Sequence, residues 1–122
     1  MIVDERVRDY IHSLEPGQGS LCDGIAREAE AGNISIIKKE TAALLKTLIT
    51  AKRPGAILEV GTAVGYSALL MAGVMPDFCR ITTIEKYEPR ILAARENFRK
   101  AGVGDKVTLL EGNDRLGKKI LS

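Results

Sequence analysis

Apolar residues recur along the first fifty positions with a helical period. Val3, Val7, Tyr10, Ile11 and Leu14 predict a helix over residues 3–14, ended by Pro16-Gly17. Leu21, Ile25, Ala26 and Ala29 predict a second over residues 20–31, with Ser20 and Asp23 spaced as a capping box and Gly32-Asn33 as its stop. Residues 34–37, Ile-Ser-Ile-Ile, are too short for a helix and read as an apolar link. Leu44, Leu45, Leu48 and Ile49 mark one face of a third helix over about residues 39–51, closed by Lys52-Arg53-Pro54-Gly55.

From residue 56 the pattern changes. Residues 56–60 are an apolar run with one embedded acid, broken at Gly61, and predict a strand; residues 66–75 predict a short helix ended by Pro76-Asp77. Residues 80–85, rich in Ile and Thr, predict a second strand. Pro89 opens a helix carrying Ile91, Leu92, Ala94, Phe98 and Ala101 and capped by Gly102; Val107 to Glu111 predicts a third strand, ended by Gly112-Asn113-Asp114. Helices followed by strand-helix-strand-helix-strand indicate an α/β fold with a parallel sheet. The expected organisation is one compact unit with a helical segment, residues 1–54, and a sheet portion, residues 55–122.

Composition narrows the function classes. A chain of 122 residues, 45% hydrophobic and 28% charged, has the make-up of a single globular domain. It contains no apolar run near the roughly 20 residues that span a bilayer. Met-Ile-Val-Asp-Glu-Arg at the start is not a secretory signal, so a cytoplasmic location is expected. A net charge of +2 makes no case for nucleic acid. Arg90, Arg95, Arg99 and Lys100 are interleaved with Glu88 and Glu96 and read as a solvated helix face rather than an RNA patch. Cys22 and Cys79 lack C-x-x-C spacing and are expected to be reduced, buried thiols. His12 is the single histidine, on the polar side of the first predicted helix, which excludes histidine triads and clusters.

The candidate chemistry lies at the first strand's end, Glu59-x-Gly61-x-x-x-Gly65-x-Ser67. A dinucleotide fingerprint would read G-x-G-x-x-G, and an acid two residues before the first glycine is a poor neighbour for pyrophosphate. The same acid is a good acceptor for a ligand ammonium, while Ser67 and the start of the next helix can donate to a carboxylate. An amino acid joined to a nucleoside satisfies both. Glu85 ends the second strand, roughly 20 residues after the turn, where a carboxylate suits a grip on ribose hydroxyls.

The stretch Glu-Val-Gly-Thr-Ala-Val-Gly-Tyr-Ser, preceded by Ile36-Ile37-Lys38-Lys39-Glu40-Thr41 and followed by Ile84-Glu85-Lys86, resembles the bacterial O-methyltransferases related to caffeoyl-CoA and catechol O-methyltransferases. The resemblance runs from about residue 20 to the last residue. It implies the first half of a Rossmann-like, doubly wound methyltransferase fold: three parallel strands preceded by about three helices. It further implies S-adenosylmethionine (SAM) as cofactor, with Ile37 beside it, Glu59, Gly61, Thr62, Gly65, Tyr66 and Ser67 at its methionine end, and Glu85 on its ribose. Asn113 and Asp114 approach the adenine in this alignment. Asp114 stands where the family commonly has alanine, which leaves a backbone contact or a helix N-cap as its role. The implied acceptor is a small phenol or catechol, or a tRNA hydroxyuridine.

Family members continue with a fourth strand and an aspartate-rich segment that binds Mg²⁺. Residues 115–122 do not match it, so no metal ligand or catalytic base is assigned. A chain ending here leaves the strand at residues 56–60 as an uncovered edge, with two expected outcomes: a homo-oligomer pairing those edges antiparallel across a two-fold, or a fragment of a longer enzyme. The competing readings are a catalytically incompetent form that binds SAM or acts only as an oligomeric module, and a different nucleotide-binding α/β domain.

Overall fold

The computed structural model describes residues 5, 6 and 19–112. Of the helix predicted over residues 3–14 only Glu5 and Arg6 fall among them, both helical, and His12, Asn113 and Asp114 lie outside the described residues. The elements are α1 (Ser20–Ala31), α2 (Lys39–Lys52), β1 (Ala56–Val60), α3 (Tyr66–Val74), β2 (Arg80–Glu85), α4 (Glu88–Ala101) and β3 (Val107–Glu111). All three strands have the bounds that the apolar runs predict.

The sheet order is β1-β2-β3, all parallel, with Ile57 beside Ile81 beside Val107 and Glu59 beside Thr83 beside Leu109. Two successive right-handed crossovers running the same way put α3 and α4 on the same face. That face holds the main core: Ile81 and Val107, with Ile57 and Leu109, pack under Leu69, Leu70, Ala94 and Phe98, and α1 and α2 extend the layer through Ile25, Ala29, Ala42 and Ile49. Leu58, Val60, Thr82, Thr108 and Leu110 alternate to the opposite face and join no part of this cluster. Among the described residues β1 pairs with β2 alone, and Val60 at its end is exposed.

Three local expectations are corrected. Ser20 and Asp23 form no capping box: the N-cap of α1 is Gly19, at φ 97°, without a side-chain cap, and Ser20 is already helical. Glycine alone enters that backbone region cheaply, which moves the boundary back by one residue. On α2 the inward stripe is the buried Ala42 and Ile49 with the half-buried Leu45, while Leu44 and Leu48 are 54% and 55% exposed, because the described neighbours cover this helix from one side. On α4, Leu92 is exposed, and the buried positions are Ile91, Ala94, Asn97 and Phe98. Other expectations stand. Gly102 caps α4 at φ 67°, and both cysteines are free thiols, though only Cys79 is buried and Cys22, expected to be buried too, is half-buried. Arg95 and Arg99 pair at the surface with Glu111 and Glu96.

Candidate functional site

The chain leaves β1 at Val60 and bends at Gly61, φ +95°, where the N–H groups of Gly61 and Thr62 both donate to Ile84 O, at 2.8 and 3.1 Å. Gly65, φ +90°, donates its N–H to Thr62 O at 2.9 Å, and α3 starts at Tyr66. The two glycines serve different ends. A Cβ on Gly61 would meet nothing within 4 Å, whereas one on Gly65 would lie 2.7 Å from Phe98 Cε1 on α4. Gly61 therefore keeps space open, and Gly65 lets a helix pack close.

Between them Ala63 sits at φ 50°, a left-handed conformation that costs a residue with a side chain about 1–2 kcal/mol. Its N–H donates to Glu85 Oε1 at 2.8 Å, and Glu85 Oε2 accepts from the N–H groups of Lys86 and Tyr87 at 3.0 and 3.2 Å. The carboxylate at the tip of β2 is thus a clasp over the turn that follows β1. From the other side Asn97 Nδ2 donates to Val64 O at 2.8 Å. A carboxylate accepts about four hydrogen bonds, so with three made Glu85 keeps a free lone pair.

A crevice of about 230 Å³ opens over this turn, with Ser35, Ile36 and Ile37 on one wall and Gly61, Thr62, Ala63, Tyr66 and Ser67 on the other. It shares Ser35, Ile36, Ile37 and Tyr66 with a neighbouring hollow of about 490 Å³. The N–H groups of Ser67 and Ala68, in the first turn of α3, make no hydrogen bond within the helix. Glu59 lies behind the crevice and does not line it. Its Oε2 accepts from Ser67 Oγ and its Oε1 from Thr83 Oγ1 at 2.7 Å; Thr83 Oγ1 in turn lies 2.6 Å from Thr62 Oγ1. Burial pushes the Glu59 carboxyl above its ordinary range, the hydroxyls of Ser67 and Thr83 oppose that rise, and the charge of Glu85 adds to it.

Of the residues singled out from the sequence, Ile37, Gly61, Thr62, Tyr66 and Ser67 meet at the crevice. Glu59 supports it from behind, Glu85 clasps the turn, and Gly65 faces α4. Ser35, Ile36 and Ala63 also line the crevice; they lie in the link and the turn that the sequence pointed to but were not singled out as contacts, and Thr83 and Asn97 were missed as supports. Both supports had a signal: Thr83 alternates with Ile81 on the core face of β2, and Asn97 falls three residues after Ala94 on the buried stripe of α4. Among the described residues no three His, Cys, Asp or Glu side chains group to hold a metal ion, and no helix is long and apolar enough to cross a membrane.

A parallel α/β sheet with a ligand-sized crevice beyond the carboxyl ends of its strands defines a small-molecule-binding domain of the doubly wound class. A family model described as O-methyltransferase matches residues 21–121, and the chain belongs to that family. Catechol O-methyltransferase B of Danio rerio is 34% identical over 73 residues, 60% of this chain and 28% of the relative. Among solved structures, the O-methyltransferase TomG of Streptomyces achromogenes in complex with SAM superposes with TM-score 0.78 at 26% identity, over 93% of this chain and 53% of that one. The SAH-bound methyltransferase PaMTH1 of Podospora anserina superposes with TM-score 0.77 at 27% identity, over 100% of this chain and 56% of that one. The chain spans about half the length of the structures it matches.

Proposed function

We propose that this chain is the cofactor-binding portion of a SAM-dependent O-methyltransferase whose acceptor is a small phenol or catechol, or a tRNA hydroxyuridine. The observation that carries the reading is the convergence, on one crevice, of the open bend at Gly61, the start of α3 with Ser67, and Ile37 from the distant link, with Glu85 at the next strand tip. The SAM- and SAH-bound relatives of the same fold support it.

The residues fit the group. When bound, SAM supplies a methyl group on a positively charged sulfur, open to attack by an acceptor oxygen. The protein's part is to hold and orient it. The N–H groups in the first turn of α3 suit the ligand carboxylate, and Ser67 Oγ, whose proton goes to Glu59, can accept from the ligand ammonium instead of donating to its carboxylate as the sequence suggested; Glu59, occupied by Ser67 and Thr83, acts from behind rather than on the ammonium itself. The remaining lone pair of Glu85 suits a ribose hydroxyl, and Ile36 and Ile37 exclude water from the sulfonium. The Mg²⁺ that the family resemblance implies finds no ligand cluster among the described residues, and no step runs through it here.

Calorimetric titration with S-adenosylhomocysteine tests the reading. Saturable one-site binding is expected, and a folded sample that evolves no binding heat contradicts it. The exposed Val60 and the edge of β1, which has no partner among the described residues, further support association of two copies through that edge. Light scattering at micromolar concentration is expected to give a dimer mass; a clean monomer counts against the association.

A further inference from the structure

We propose that Asn97, which lies on α4 outside the crevice, is a positioning residue for cofactor binding: by holding the carbonyl of Val64 it fixes, from behind, the turn whose front forms a crevice wall. The identity of the ligand rests on the proposed cofactor reading; the grip on the turn rests on this chain alone.

Asn97 is buried, and its amide meets Val64 O at 2.8 Å. A carbonyl oxygen only accepts, so the asparagine presents its NH₂ end there. The next residue, Phe98, lies against Gly65, so adjacent residues of α4 hold adjacent residues of the turn. If α3 wound back by one more residue, Val64 O would accept from the N–H of Ala68, four positions on. Gly65 at φ +90° stops that winding, and Asn97 takes the carbonyl instead.

Ala63, just before Val64, is the left-handed residue of the turn, and its N–H reaches Glu85 Oε1. A residue with a side chain keeps that conformation only where its surroundings over-determine it. Here two side chains do so, Glu85 on the N–H of Ala63 and Asn97 on the carbonyl of the residue that follows. Packing alone does not hold that carbonyl, because a cleft of about 320 Å³ between α1 and α4 opens onto both Val64 and Asn97. A buried carbonyl deprived of its donor turns toward water or another donor, and the cleft gives it room to do so. Asn97 lines no part of the crevice, yet the places of Ala63 on its wall and of Glu85 at its rim depend on it.

The test compares Asn97→Leu, which removes the donor, with Asn97→Asp, whose carboxyl donates to Val64 O when protonated and repels it when ionised. The introduced carboxyl faces Glu28 from α1 and Glu96 and Lys100 from α4 across the cleft, and its titration is followed by carbon-13 NMR. Affinity for S-adenosylhomocysteine is measured across that titration and divided by the wild-type value at each pH, which cancels the contributions of Glu59 and Glu85. Asn97→Leu is expected to bind about tenfold more weakly throughout. Asn97→Asp is expected to bind about tenfold more weakly when ionised and within about twofold of the wild type when protonated. Ile49→Ala, which thins the core at the far end of α2, controls for lost stability and is expected to keep wild-type affinity. In the ligand-free protein the Ala63 amide is expected to exchange about tenfold faster, relative to the core amide of Ile81, in Asn97→Leu and in ionised Asn97→Asp. Wild-type affinity in Asn97→Leu, an Asn97→Asp affinity that does not follow its carboxyl, or an equal loss in Ile49→Ala overturns the proposal. Because Asn97→Asp switches within one sample, the test holds whether or not Asn97→Leu folds. A wild type that binds no S-adenosylhomocysteine sinks the cofactor reading instead; the relative exchange of Ala63 then decides the grip on the turn, and an unchanged value overturns it.

Discussion

The turn between β1 and α3 has two faces built on opposite rules. The face toward α4 is closed: Gly65 lies against the ring of Phe98, and Asn97 holds Val64 O. The face toward the link at residues 34–37 is open, with free space over Gly61 and Ser67 on the crevice wall. One short segment is thereby fixed from behind and left accessible in front, and it is held rigid without its ligand. The two acids divide in the same way. Glu85 is held by backbone N–H groups, which only a proline substitution would remove, whereas Glu59 is held by hydroxyls, each of which can be deleted.

Breaking the closed face has the largest expected effect. Gly65→Ala adds a left-handed residue and drives a methyl group into Phe98; it is expected to cost about 2–5 kcal/mol of stability, read by denaturant unfolding. A change below about 0.5 kcal/mol would mean that the close approach of α4 is not what requires a glycine there. Glu85→Ala comes next. It removes the clasp over Ala63 and the proposed ribose partner, and is expected to weaken S-adenosylhomocysteine binding by about 1–3 kcal/mol. An unchanged affinity would remove Glu85 from the site.

Gly61→Ala sharpens the contrast with Gly65. It meets no steric neighbour, so only the backbone term of about 1–2 kcal/mol is expected in stability, while the new methyl group occupies crevice space and lowers affinity. Equal stability losses at Gly61 and Gly65 would erase the distinction between the faces.

The smallest effect is a pH slope from Glu59. Its native carboxyl titrates above the ordinary 4.5, mainly through burial, so between 4.5 and the raised value the native state holds more protons than the unfolded chain. Stability is expected to fall as pH rises through that window and to level off above it. Glu59→Gln abolishes that part of the slope; a slope that persists in the variant would place its source elsewhere.

Strand positions were legible because each is an apolar, β-branched run set off by Gly, Pro or Asp, signals that depend on neighbours in sequence. The glycine bend and its flanking acid were legible for the same reason. What was not legible depends on packing across elements. Leu44 and Leu48 have the same apolar character as the buried Ile49, and only the placement of α3 decides which side of α2 is covered. Ser20 lost its cap role to a glycine one residue earlier whose backbone geometry no spacing rule reveals. Thr83 and Asn97 support the turn from residues 21 and 33 positions away, so their part emerges only once the strands and α4 are assembled.

The most direct test of the central claim is a crystal structure of the protein with S-adenosylhomocysteine. The amino-acid end is predicted to lie between the bend at Gly61 and the start of α3, its ammonium facing Ser67, with the ribose hydroxyls reaching Glu85. A ligand bound elsewhere, or one whose ribose lies out of reach of the Glu85 carboxylate, would contradict the account.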